Sequence, residues 1–100
     1  MKNSILIIFL ILFSCAENQE KKRIAEISCG QCQFGLTSKK GCDLAVKIDD
    51  KAYFVEGAHI DDFGDAHDKN TGFCEVVRKA NITGKIKDNQ FYASEIKLIE

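Results

Sequence analysis

The sequence predicts a mostly β domain with one helix, arranged as a small OB-like five-stranded barrel. Two segments have apolar residues at every second position around a central turn, which is typical of β-hairpins. One segment between them has helical spacing, and a further strand region precedes the first hairpin. Three strands, a helix and two strands is the order of the OB-fold. A small open α+β sheet with the helix across one face is the alternative.

The two hairpins supply four of the predicted strands. In residues 43–56 the apolar residues Leu44, Val46 and Ile48 recur at every second position, and a β-rich run returns after an Asp-Asp-Lys turn. In residues 82–99 the same period recurs on both sides of an Asp-Asn turn. Each hairpin therefore has one apolar face that can pack against a core.

The remaining strand region and the helix are predicted from shorter patterns. Residues 24–36 are expected to form one or two strands, with a bend or bulge at their glycines. Within residues 73–80, apolar side chains recur at i, i+3, i+4 and i+7, with charged side chains opposite. Asn70 or Thr71 is suited to cap the start of this helix.

The first 14 residues are organised like a secretory signal peptide. Lys2 is followed by nine consecutive apolar residues, from Ile5 to Phe13, and then by the small residue Ser14 before Cys15. Such a run is too short to span a bilayer, which takes roughly 20 apolar residues. We therefore predict that residues 1–14 are a lipoprotein-type signal peptide that is removed from the mature chain.

The end of this segment, Leu12-Phe13-Ser14-Cys15, resembles the lipobox of bacterial lipoproteins. The resemblance implies a diacylglyceryl thioether on Cys15, cleavage before it, and a fatty acid such as palmitate on the new amino terminus. Several acyl chains hold a protein stably on a membrane. Residues 15–23 are then a lipidated tether, and residues 24–100 are a single domain in the cell envelope, outside the cytoplasm. The residue after Cys15 is Ala16, whereas an Asp at this position would signal retention in the inner membrane. The sequence therefore favours an outer membrane where the cell has one.

Composition excludes one class of partner and limits the core. Removal of residues 1–14 takes away Lys2 and leaves 13 basic and 15 acidic side chains, a net charge of −2. This balance argues against a nucleic-acid partner, which needs a basic surface. A chain of 100 residues makes one domain, and so small a core is marginal without a covalent or metal cross-link.

Four cysteines besides the lipobox cysteine can supply that cross-link: Cys29, Cys32, Cys42 and Cys74. Outside the cytoplasm, four cysteines in a small domain predict two disulfides, with three pairings open. Each disulfide stabilises such a domain by roughly 2–4 kcal/mol. We therefore expect a disulfide-stapled envelope module that is not an enzyme.

A metal site is the first alternative. The Cys-x2-Cys spacing of the first two cysteines occurs in zinc sites, and His59 and His67 are further candidate ligands beside the other two cysteines. Zinc and copper are the candidate metals, since both accept thiolate and imidazole ligands. A thiol-redox protein is the second alternative. It is less favoured because a redox Cys-x2-Cys pair opens a helix, and residues 33–36 have no helical pattern.

Four short motifs resemble a family of small, uncharacterised bacterial lipoproteins and secreted proteins. They are CGQCQFG (29–35), GCDLAV (41–46), GDAH (64–67) and GFC (72–74), and together they extend over most of the domain. The resemblance implies no particular reaction. It implies a shared Cys/His constellation, formed by Cys29, Cys32, Cys42, His67 and Cys74.

The substitution Cys15→Ser removes the sulfur that the lipid would modify. We expect this variant to remain unprocessed by lipoprotein signal peptidase and to incorporate no labelled palmitate, because both steps depend on that sulfur. Metabolic labelling followed by immunoprecipitation measures the outcome, with the unaltered chain as control. Palmitate incorporation into the variant would contradict the lipobox assignment.

Overall fold

The computed structural model describes residues 20–99, and the predicted signal peptide and the lipidation site Cys15 lie outside the described residues. Its five strands are β1 (Lys21–Cys29), β2 (Leu44–Ile48), β3 (Lys51–Glu56), β4 (Arg78–Lys87) and β5 (Gln90–Ile99). A single helical turn, α1 (Gly30–Gln33), follows β1, and a 3-10 turn (Ile60–Phe63) lies between β3 and β4. Within residues 20–99, no helix has the length and apolar character needed to cross a bilayer.

The strands close into a barrel in the order β1-β2-β3-β5-β4, with β4 pairing back onto β1. Neighbouring strands are antiparallel, except that β3 and β5 run parallel. Closure matters because it leaves no long unpaired strand edge on a small domain. This closed, mostly β sheet of five strands confirms the predicted OB-like barrel.

Both predicted hairpins are present. The β2–β3 turn has φ angles of 50° at Asp49 and 67° at Asp50, and the β4–β5 turn has 52° at Asp88 and 63° at Asn89. Positive φ at both central residues characterises the two-residue turn whose twist matches that of the flanking strands. Asp and Asn adopt this conformation more readily than most residues because their short polar side chains can hydrogen-bond locally. The chain therefore makes both turns without glycine.

The barrel interior is filled by inward-facing side chains of the strands. Ile27 of β1, Val46 of β2, Ile82 of β4 and Phe91 of β5 are fully buried. Along most of β4, exposed and buried residues alternate, as a strand with one face on the core requires. Burial of each such side chain contributes roughly 1.5–3 kcal/mol, and together they form the core that supports the strand ends.

The helix predicted over residues 73–80 is wrong. Residues 73–75 form a turn, in which the Val76 N–H donates to the Gly72 carbonyl at 2.9 Å, and the helical bonding stops there. From Arg78 onward the chain is β4, paired with β1 on one side and β5 on the other. A helix in this position would leave the edge of β1 unpaired and the barrel open, so strand pairing overrides the local periodicity.

The first strand region also differs from its prediction. β1 begins at Lys21, three residues before the predicted strand region. Residues 30–36 do not continue as a strand, because the Gly30 carbonyl accepts the backbone N–H groups of Phe34 and Leu36 at 3.2 and 3.0 Å. These bonds turn the chain at the predicted glycine, and the bend is tighter than a strand with a bulge.

We expect Phe91→Ala to lower the free energy of unfolding by about 3–5 kcal/mol, because the ring is fully buried and its removal leaves a cavity. The adjacent Tyr92 is 36% exposed, so Tyr92→Ala is a matched control that should cost much less. Urea unfolding followed by far-ultraviolet circular dichroism measures both. Equal losses for the two variants would contradict the inward orientation of Phe91.

Candidate metal centre

Four cysteines from separate segments meet at one end of the barrel, and we call them the cysteine cluster. Cys29 is the last residue of β1 and is buried, whereas Cys32 lies in α1 and is exposed. Cys42 lies just before β2 and Cys74 in the loop before β4, and both are half-buried. Because β1 has β2 and β4 as its two neighbours, the barrel itself brings these segments together.

The four sulfur atoms form one compact group, all within 4.8 Å of one another. The sulfur of Cys42 is central: it lies 2.6 Å from that of Cys29, 2.8 Å from that of Cys74 and 4.0 Å from that of Cys32. All four thiols are free, so the structure contains none of the three disulfide pairings. The cysteines that were expected to staple the domain in pairs instead share a single site.

The Cys-x2-Cys segment is folded into a tight turn by its own backbone. Cys29 caps α1, and its sulfur accepts a hydrogen bond from the Cys32 N–H at 3.3 Å. Gly30 allows the turn to lie against the barrel, since a Cβ there would be 2.7 Å from the Phe54 ring and 3.0 Å from the Ala45 methyl group. The turn therefore aims both of its sulfurs towards Cys42.

Two glutamine side chains tie this turn to the other cysteine segments. The Gln31 Oε1 accepts the Asp43 backbone N–H at 2.8 Å, and its Nε2 donates to the Asp43 carboxylate at 2.7 Å. The Gln33 Nε2 donates to the Cys74 carbonyl at 2.9 Å. Since Asp43 directly follows Cys42, each glutamine fixes one further cysteine segment relative to α1.

A buried serine anchors the loop that carries Cys74. The Ser28 hydroxyl has no solvent exposure, and it is shared between the carbonyls of Phe73 and Val76, each at 2.7 Å. The Cys29 N–H donates to the same Phe73 carbonyl at 3.2 Å. Three hydrogen bonds from the end of β1 thus hold the segment on both sides of Cys74.

The thiols of the cluster differ in pKa. Burial raises the pKa of Cys29, but hydrogen bonds from the Cys42 thiol and the Cys32 backbone outweigh it, so the pKa lies below its ordinary value. The pKa of Cys32 is raised to about 11, first because its thiol donates to the Cys29 sulfur and then through burial and the charge of Cys29. Burial and hydrogen bonding to Cys29 and Cys74 raise the pKa of Cys42. Of these three thiols, Cys29 is the first to ionise.

The cluster is close to the geometry of a tetrahedral metal centre. Four thiolates at the usual zinc–sulfur distance of about 2.3 Å stand about 3.8 Å from one another. The sulfur separations here extend from 2.6 Å to no more than 4.8 Å, on either side of that value. Movements of about 1 Å therefore suffice to surround one ion, and binding would displace the protons held by Cys32 and Cys42.

Neither candidate histidine belongs to the cluster. His59 and His67 are exposed, and the group of closely placed ligand atoms found in residues 20–99 contains cysteines alone. His59 lines a separate cleft of about 390 Å³, and its backbone N–H donates to the Asp62 carboxylate at 2.8 Å. The backbone N–H of His67 donates to the Asp65 carboxylate at 2.9 Å. Of the constellation that the family resemblance implies, the structure brings together the four cysteines and not His67.

The supporting residues Ser28, Gln31 and Gln33 were not found from the sequence. One signal was available, because each is a short or amide polar residue directly beside Cys29 or Cys32 in an otherwise core-forming segment. Their partners are backbone groups tens of residues away, or Asp43, and only the barrel closure brings these partners close.

We expect Ser28→Ala to destabilise the domain by about 1–3 kcal/mol, because it removes a fully buried hydroxyl that donates to the partly buried Val76 carbonyl and to the buried Phe73 carbonyl. Ser94 also donates through its hydroxyl but is exposed, so Ser94→Ala is the matched control and should change stability little. Denaturant melts of the two variants measure the difference. A Ser28→Ala variant as stable as the control would show that this anchor contributes nothing.

A family model described as a family of unknown function (DUF6370) matches residues 23–99. No curated protein and no solved structure matches the chain. The matched range contains the whole cysteine cluster and the supporting residues described above. Because it also extends over most of the chain, the protein belongs to this family of unknown function, DUF6370.

Proposed function

We propose that this domain binds one zinc ion through the four thiolates of Cys29, Cys32, Cys42 and Cys74. The observation that carries the proposal is the mutual proximity of the four sulfurs, all within 4.8 Å although they come from three segments that are separate in sequence. Four sulfurs around one point is the ligand set of a structural zinc site. Backbone and side-chain hydrogen bonds orient the ligand-bearing segments, as the outer shell of a metal site does.

The ligand set favours zinc over copper. A tetrahedral group of four sulfurs is typical of zinc or iron, whereas copper was a candidate for a site of mixed cysteine and histidine ligands. His59 and His67 lie on exposed loops outside the cluster. Zinc also has no redox chemistry of its own, which suits a site of thiolates.

A zinc ion would give the domain the cross-link that its small core needs. The ligands connect β1, α1, the start of β2 and the loop before β4, so one ion would tie together four segments of the barrel end. The free energy of metal binding would add to the free energy of folding, because the site does not exist in the unfolded chain. The metal would thus serve the purpose that the sequence assigned to disulfides.

We further propose that the domain is a non-enzymatic module of the cell envelope, held on a membrane through lipid on Cys15 and facing outside the cytoplasm. The signal-like residues 1–14 and the lipobox support this, and an outer membrane is favoured where the cell has one. β1 begins at Lys21, six residues after the anchor. A tether of that length would keep the barrel within about 20 Å of the bilayer surface.

Two disulfides are the second candidate state of the cluster. The central Cys42 sulfur lies 2.6 Å and 2.8 Å from two partners, so either pair could contract to a bond of about 2.05 Å in an oxidising compartment. Cys42 can form a disulfide with only one of these two partners, however. Two disulfides also do not require all four sulfurs to lie at one point, whereas a metal site does. A thiol-redox function is less favoured, because it needs an exposed thiol of low pKa. Cys29 is buried, and the exposed Cys32 has a raised pKa.

We expect the full chain, purified under reducing conditions with zinc supplied, to carry one zinc ion and to keep the four cluster cysteines as unmodified thiols, with Cys15 counted separately. Native mass spectrometry with elemental analysis measures the stoichiometry. Cys42→Ser should lose the ion because it removes the central ligand, whereas His67→Ala should retain it with an unchanged chelator-sensitive melting temperature. The histidine variant is the control, since that side chain is exposed and outside the cluster.

Two results would contradict the proposal. One is a chain that binds no zinc at micromolar free metal and melts at the same temperature with and without chelator. The other is loss of zinc in His67→Ala equal to that in Cys42→Ser, which would mean that the ligand set is not the four cysteines.

A further inference from the structure

We propose that Cys32 is the exchangeable ligand of this centre, and that the metal ion is passed to and from thiol-bearing acceptors that displace it. This inference rests on the proposed zinc site and adds a partner class to it. The acceptor is a small thiol or a protein thiolate. The remaining three cysteines act as the fixed part of the site.

Solvent access to the four ligands is unequal. Cys29 has no exposed surface, Cys42 and Cys74 are half-buried, and Cys32 is the exposed member of the cluster. Exchange of a ligand requires the incoming sulfur to reach the ion, and it can do so only on the side of the site where a ligand is exposed to solvent. An incoming sulfur can therefore approach the ion from the Cys32 side and is blocked by the barrel on the Cys29 side.

The contacts of the sulfurs divide the cluster in the same way. The central Cys42 sulfur lies 2.6 and 2.8 Å from the sulfurs of Cys29 and Cys74 but 4.0 Å from that of Cys32, whose thiol is hydrogen-bonded to Cys29. Cys29 is fixed at the end of β1, and the loop of Cys74 is bonded to Ser28 of the same strand. Cys32 lies on a four-residue turn that Gln31 and Gln33 hold against the other segments, and it differs from the inner three in being the exposed ligand. Departure of Cys32 thus leaves three ligands in place.

The exchange step conserves atoms and charge. The acceptor thiol loses its proton to solvent and its sulfur forms a bond to zinc. The bond between zinc and the Cys32 sulfur breaks, and that sulfur takes up a proton. No electrons are transferred, and the ion is then held by three cysteines of this chain and one sulfur of the acceptor. Further sulfurs of the acceptor can replace the remaining cysteines in the same way and complete the transfer.

The first test follows transfer of zinc from the loaded full chain to a chromophoric chelator at increasing glutathione concentration. The expected rate rises in proportion to glutathione, and S-methylglutathione, which has the same charge but no thiol, gives no acceleration. A rate independent of glutathione, with zinc bound stoichiometrically, would overturn the exchange proposal while leaving the zinc site intact. A chain that never loads zinc would instead contradict the proposed function.

The second test identifies the ligand that leaves. Limited alkylation of the zinc-loaded chain with iodoacetamide, read by peptide mass spectrometry, should label Cys32 before the other three. Cys32→Ser should release zinc at least about tenfold faster than the unaltered chain, because loss of a ligand should weaken the site no less than loss of one of its supporting contacts. First labelling at Cys42 or Cys74 would overturn the assignment, and this measurement on the unaltered chain does not depend on the folding of any variant.

Discussion

The hydrogen bonds from the end of β1 to the loop before β4 are the contacts on which the rest of this structure depends. Ser28 and Cys29 together bind the carbonyls of Phe73 and Val76, which directs the chain into β4 in register with β1. These bonds continue the pairing of β1 with β4 that closes the barrel, and they bring Cys74 beside Cys29. Barrel closure and the cysteine cluster therefore share the same contacts, and a metal ion in the cluster would stabilise both.

The parts of the fold that follow from local chemistry were predictable. The hairpins of residues 43–56 and 82–99 depend on alternation and on turn residues that tolerate positive φ, and both are present. The helix over residues 73–80 was wrong because its apolar spacing arises from two different structures, a core-facing turn and the first residues of β4. Periodicity in one segment contains no information about the edge of β1 that β4 must cover.

The site was predictable in its residue types and not in its arrangement. Compartment and chain length favoured pairing of the four cysteines, whereas the structure gathers all four around Cys42. His59 and His67 were candidate ligands by residue type, but neither contributes a ligand atom to the cluster, although the carbonyl of Ala66 beside His67 accepts the Cys74 N–H at 2.9 Å. The supporting hydrogen bonds of Gln31 and Gln33 join groups that are distant in sequence, so only the tertiary fold could reveal them.

X-ray absorption at the zinc edge of the loaded full chain determines whether the cluster is one metal centre of four sulfurs. We expect a first coordination shell of four sulfur atoms at about 2.3 Å, with no nitrogen or oxygen neighbour. A shell containing histidine nitrogen would contradict the ligand set derived from the cluster. A shell of oxygen and nitrogen alone, beside two intact disulfides, would contradict the metal centre itself.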